Sequence, residues 1–155
     1  MYRWNEKRLE YEFRNRLQGI EDDPSPSLGG YLDLSDKGMV AQFTAAENIG
    51  QYDVCYLNGS GEMAKAEATA ESLADTLIAL AMGAVTAATS GTFLLRGFAD
   101  VSGFTAGGHL YVSTTAGTLT TTAPLASGNI VRVCGYAITP TQIFIDPDKT
   151  WIEVA

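Results

Sequence analysis

Over the first twenty positions the apolar residues recur at helical spacing. Leu9, Phe13, Leu17 and Ile20 fall at four- and three-residue steps, and Glu10–Arg14 and Glu12–Arg16 are (i, i+4) pairs in the favourable order. The pattern predicts an amphipathic helix over 1–20, about 25–30 Å long, that is marginal alone in water. Trp4 and Tyr11 broaden its apolar side, so it needs a partner, either its own domain or another protein. Glu21-Asp22-Asp23-Pro24-Ser25-Pro26 follows directly; two prolines beside three acids end the helix and favour an extended, solvated connector.

Beyond Leu28-Gly29-Gly30 the period changes to short segments punctuated by Gly, Asn, Asp and Ser, the pattern of strands joined by tight turns. Strands are predicted at 39–44, 53–57, 62–66, 77–82, 92–98, 109–113, 117–121, 130–138 and 142–145, with a turn at Asn58-Gly59-Ser60-Gly61. The chain thus divides into an N-terminal helix (1–20), an acidic, proline-containing linker with an extended arm (21–38), and a β domain (39–155). In the β domain Val54 and Tyr56 alternate with Cys55 and Leu57, and Val131 and Val133 with Arg132 and Cys134. Phe93-Leu94-Leu95 is apolar on both faces, which predicts a sheet covered on both sides. So much apolar strand surface exceeds what one sandwich interior needs, and burial between subunits is expected.

Charge sharpens this division. Six of the ten Lys+Arg and eight of the eighteen Asp+Glu lie in residues 1–37, while residues 76–145 hold only Arg96, Asp100 and Arg132. The net charge of −8 leaves no basic surface for counterion release, so no nucleic-acid partner is expected. The N-terminus, charged throughout, lacks the apolar centre of a secretory signal, and export by that route is not expected. The uncharged run from Thr76 to Leu95 approaches membrane-spanning length, but its threonines and glycines argue against a transmembrane helix; no membrane association is expected. Two cysteines, Cys55 and Cys134, are too few for a disulfide scaffold and suit a reducing site of synthesis.

Catalytic signals are sparse. The one histidine, His109, follows Gly107-Gly108 at a strand start and reads as a rim residue. Glu21-Asp22-Asp23 lacks the spacing of a calcium loop, and Asp146-Pro147-Asp148 reads as a turn. GxSxG, P-loop, GxGxxG and HExxH patterns are missing. Each cysteine sits beside valine in a strand, where a buried, inert thiol is expected. No enzyme activity and no cofactor are expected. Contact aromatics are the better functional candidates, among them Trp4, Tyr31, Phe104, Tyr111, Tyr136 and Trp151.

Five strings carry a resemblance. Gln51-Tyr52-Asp53-Val54-Cys55-Tyr56-Leu57-Asn58-Gly59-Ser60-Gly61, Phe93–Phe98, Gly107-Gly108-His109-Leu110-Tyr111-Val112-Ser113-Thr114-Thr115-Ala116-Gly117, Val131–Ile138 and Phe144-Ile145-Asp146-Pro147 resemble, in order, a β domain of tailed-bacteriophage virion proteins. Capsid decoration (cement) proteins, head fibres and tail-fibre ends share it. Pro26-Ser27-Leu28-Gly29-Gly30-Tyr31-Leu32-Asp33-Leu34 is similar to an element at the start of phage-fibre shafts, except that Ser35-Asp36 replaces its usual Asn-Gly.

The resemblance implies a mainly β fold, a small β barrel or β-tulip-like sandwich behind the N-terminal helix and arm, assembled as a homotrimer. The function expected is that of a capsid decoration protein or head fibre, assembled in the bacterial cytoplasm and carried on the capsid exterior, with the major capsid protein as partner. Candidate capsid or subunit contacts are Tyr2, Trp4, Leu9, Phe13 and Leu17 of the helix and Leu28, Tyr31, Leu32 and Leu34 of the arm. The alternative is a tail-fibre, receptor-binding module whose loops at 103–108 and 114–122 meet host-surface glycan, with Phe104, His109 and Tyr111 facing the ligand.

Overall fold

A computed structural model describes residues 38–155. They form a mainly β domain whose principal sheet is open and curled into a half-barrel. The expectations placed on 1–20 and 21–37, with the candidate residues Tyr2, Trp4, Leu9, Phe13, Leu17, Leu28, Tyr31, Leu32 and Leu34, lie outside the described residues.

The strands are β1 (Gly38–Thr44), β2 (Val54–Leu57), β3 (Met63–Lys65), β4 (Ile78–Ala81), β5 (Ser90–Ala99), β6 (His109–Val112), β7 (Leu119–Thr120), β8 (Ile130–Val131), β9 (Val133–Thr139), β10 (Gln142–Ile145) and β11 (Ile152–Glu153), with one 3-10 turn at Glu71–Leu73. The main sheet runs β3-β2-β4-β5-β10-β9-β6-β7, and β1 pairs with β5; β8 and β11 form a separate two-stranded sheet. All ladders are antiparallel. The uncharged run from Thr76 contains β4 and much of β5, and no helix among the described residues is long and apolar enough to cross a membrane.

The predicted strand positions match closely, with two differences. The segment 130–138 is not one strand: it breaks at Arg132, whose side chain turns into the protein, so β8 joins a different sheet from β9. The strand β11 was not anticipated. It is two residues long, and it is specified by its partners Val131 and Ile130 rather than by its own pattern.

Burial on both faces of the sheet is achieved within the chain. Along β4, Ile78 and Leu80 pack in clusters on one side and Ala79 and Ala81 on the other. Phe93 and Leu94 divide in the same way, Phe93 against Ala45, Met63 and Val85, Leu94 against Leu110, Ile143 and Ile145. The double-sided run at Phe93-Leu94 therefore needs no second subunit to hide it. Full burial of a Leu or Phe side chain is worth about 1.5–3 kcal/mol, so these facing pairs anchor the sheet.

Three bulges curl the sheet and break simple alternation. Leu95 on β5 is an extra residue opposite the Met39–Val40 step of β1. It lets Leu94 and Ala99, five apart, face the same core while Arg96 and Phe98 turn outward. On β9, Cys134 is extra opposite Leu110–Tyr111, and Ile138 is extra opposite Gln142–Ile143. Gly135 lies between them because a Cβ there would come within 2.0 Å of the Phe144 carbonyl oxygen, at a φ of +153°.

Candidate functional site

Outward-facing positions of four adjacent strands line up into a row of rings. Phe144 of β10 pairs with Phe98 of β5 on one side and with Tyr136 of β9 on the other, and Tyr136 pairs with His109 of β6. Directly opposed residues on neighbouring strands share a face. The result is Phe98–Phe144–Tyr136–His109, with ring centroids 4.9 Å apart at Phe98–Phe144 and 5.2 Å apart at His109–Tyr136. Tyr111 stacks on His109 at 6.3 Å.

The flank of this row is partly polar. The Arg96 guanidinium lies 5.9 Å from the Phe144 ring centre and donates to Asp146 through Nε (3.1 Å) and Nη2 (3.3 Å). The Gln142 amide donates to Asp100 Oδ1 at 3.4 Å. Met39 stands opposite Arg96, and Ile138 follows Tyr136 by two residues. Phe98 is 42% exposed, Tyr136 41%, Ile138 46% and Met39 59%. Large apolar side chains gathered on one face are the usual mark of an interaction surface.

The structure brings together two of the three predicted ligand-facing residues. His109 is exposed and Tyr111 half-buried, both at the end of the row. Phe104 is elsewhere: it packs against the core cluster around Leu80 and Leu110. Its neighbours Gly103 and Thr105 are exposed, but the ring itself is used for packing. Phe98 and Phe144 were missed as site residues. The available signal was Ile143-Phe144-Ile145, where two buried isoleucines force the residue between them outward.

A second apolar region lies on the two-stranded sheet. Leu125 is 79% exposed, Ile152 70% and Trp151 36%. The loop before β8 is tied to β11 by bonds from Gly128 N–H to Val154 O (2.8 Å) and from Val154 N–H to Asn129 O (2.9 Å). This places the two-stranded sheet and its loop in one corner.

That corner is fastened to the body by Arg132, the buried charged residue among those described. Its Nε donates to Asp148 O at 2.9 Å, and Nη1 donates to Ala74 O at 2.5 Å and Thr76 O at 2.6 Å. Burial pulls the Arg132 pKa below its usual value, while Cys134, Asp75 and Asp148 act in the opposite direction. The carbonyl cage engages the Nε and both Nη1 donors, the kind of compensation a buried charge requires.

Both thiols are buried and free. Desolvation raises each to about 12, Asp53 and Glu47 adding to the effect at Cys55, so both are protonated at neutral pH. Among the described residues no group of three or more His, Cys, Asp or Glu side chains is placed to hold a metal ion. No family model matches the sequence, and no curated protein does.

Proposed function

We propose that this chain is a bacteriophage virion structural protein, a homotrimeric capsid decoration protein or head fibre without catalytic activity. It is assembled in the host cytoplasm and fixed on the capsid exterior against the major capsid protein. Two things support the reading: the ordered strings resembling phage virion β domains, and the mainly β body. The single observation that carries it furthest is the half-exposed aromatic row, a surface built to be covered and not to react.

The mechanism is mechanical. Each copy adds buried interface across a joint between shell subunits, and linkage of copies turns modest contacts into avidity. In this reading the segment 1–37 provides the shell contacts, with Trp4 and Phe13 as anchors.

The test is co-sedimentation of the full chain with expanded, undecorated heads, against washed bacterial cells in parallel. Binding to heads, lost in a Trp4→Ala/Phe13→Ala double variant, is the expected result. Binding to cells but not heads overturns it in favour of the receptor-binding alternative, in which the loops at 103–108 or 114–122 meet surface glycan.

A further inference from the structure

The turn between β2 and β3 has the sequence Asn58-Gly59-Ser60-Gly61, and its hydrogen bonds engage every N–H but one. Asn58 N–H donates to Glu62 O at 2.8 Å, and Gly61 N–H donates to Asn58 O at 3.0 Å. Ser60 N–H and Glu62 N–H both donate to Asn58 Oδ1, at 2.9 and 3.0 Å. Among the described residues Gly59 N–H has no acceptor, and neither does the Asn58 Nδ2 amide. Gly59 is exposed, and a Cβ placed on it would meet nothing within 4 Å. We propose that Asn58-Gly59 is a self-modification site, at which the folded turn converts its own asparagine to aspartate and isoaspartate with water as the co-reactant.

The reaction needs a free nucleophile, a stabilised oxyanion and a leaving group, and the turn provides all of them. Gly59 N, its proton taken by hydroxide, attacks Asn58 Cγ; the new N–Cγ bond closes a succinimide ring. Negative charge builds on Oδ1 in that step, where the Ser60 and Glu62 N–H groups already point, as donors do in an oxyanion hole. The Cγ–Nδ2 bond then breaks, and Nδ2 takes a proton from water and departs as ammonia, which returns the hydroxide. Water next opens the ring. Addition at Cγ gives aspartate; addition at the main-chain carbonyl gives isoaspartate, which routes the backbone through the former side chain and lengthens it by a CH₂. Net, a water is consumed, an ammonia is released, and a negative charge joins a chain already at −8. The other described asparagines lack these conditions. Asn48 and Asn129 each precede a buried isoleucine whose N–H is committed, Ile49 to Val85 O at 2.9 Å and Ile130 to Ala68 O at 2.7 Å. Their β-branched side chains also crowd the approach to the preceding amide.

The test incubates the full-length chain at mildly alkaline pH, native and unfolded in guanidinium chloride, and follows each asparagine by peptide mass measurement. The expected result is a peptide about 1 Da heavier at Asn58, resolved by chromatography into aspartyl and isoaspartyl forms. It accumulates in the native chain at a rate no lower than in the unfolded one. In the native chain Asn58 is expected to react about tenfold faster or more than Asn48 and Asn129, where the attacking N–H must first give up its hydrogen bond. Gly59→Ala, for which the turn has room, is expected to slow the reaction about tenfold while circular dichroism keeps its β signature. A native chain that stays unmodified at Asn58 while the unfolded chain reacts overturns the proposal, since the turn then protects the residue. Equal native rates at Asn48, Asn58 and Asn129 overturn it as well. None of these readouts involves heads, so the outcome is independent of the function proposed above.

Discussion

The Arg132 corner and the aromatic row invert the ordinary rule of burial in opposite ways. The first hides a guanidinium, and the second leaves phenyl rings in water. The difference lies in satisfaction. Arg132 has three carbonyl partners from distant loops, so its burial is complete within one chain. The row has Arg96 at its flank, and Phe98 and Tyr136 are about two-fifths exposed, so within one chain its rings are only partly covered. Buried polar groups with every partner in place report on stability; apolar groups without cover report on contact.

The comparison can be broken most forcefully at Arg132. Arg132→Met removes the donors of three backbone carbonyls and is expected to cost about 3 kcal/mol or more, read as a lower urea midpoint. Arg132→Lys should recover little, because a single ammonium lacks the guanidinium fork. Next comes Gly135→Ala, which forces a Cβ onto the Phe144 carbonyl at a left-handed φ. A loss of about 2–3 kcal/mol is expected, with β9 and β10 losing amide-exchange protection first.

On the row the order of effects reverses. Phe98→Ser is expected to change folding stability by about 1 kcal/mol or less, yet to weaken association roughly tenfold or more, since interface aromatics dominate binding. Arg96→Gln removes an exposed ion pair and should shift the melting curve by less than about 1 kcal/mol. At pH 7 the two thiols should be silent, resisting alkylation until the protein is unfolded. Their folded pKa values lie above the ordinary thiol value of 9.0. Folding therefore favours the protonated form: this contribution is complete below pH 9 and is lost as pH rises toward about 12. A Cys55→Ala/Cys134→Ala variant should show a flatter alkaline limb.

Much of the strand layout was legible. Asn58-Gly59-Ser60-Gly61 marks its turn, Gln142–Ile145 its strand, and Phe93-Leu94 its two-sided burial, because local propensity and period carry those facts. Alternation failed where bulges intervene. Leu94 and Ala99 are five apart, an odd step that alternation assigns to opposite faces, yet both pack in one core. A bulge shifts parity by one residue, and nothing in the flanking residues announces it. The predicted strand at 109–113 contains His109 and Tyr111, and the sheet sets both at the end of the row. For Phe104, an exposed glycine-rich loop does not reveal that its ring packs against the core.

The amino-acid order alone settled that residues from 39 onward form short strands joined by tight turns, with apolar faces and few charges, since turn chemistry and two-residue periodicity are local properties. The tertiary structure decided which apolar positions are hidden and which face out. That choice depends on bulges at Leu95, Cys134 and Ile138 and on the pairing of β5 with β10 and of β6 with β9, strands that lie far apart in sequence. Four rings from four strands become one surface only when long-range register places them side by side, and register is a property of the assembled sheet.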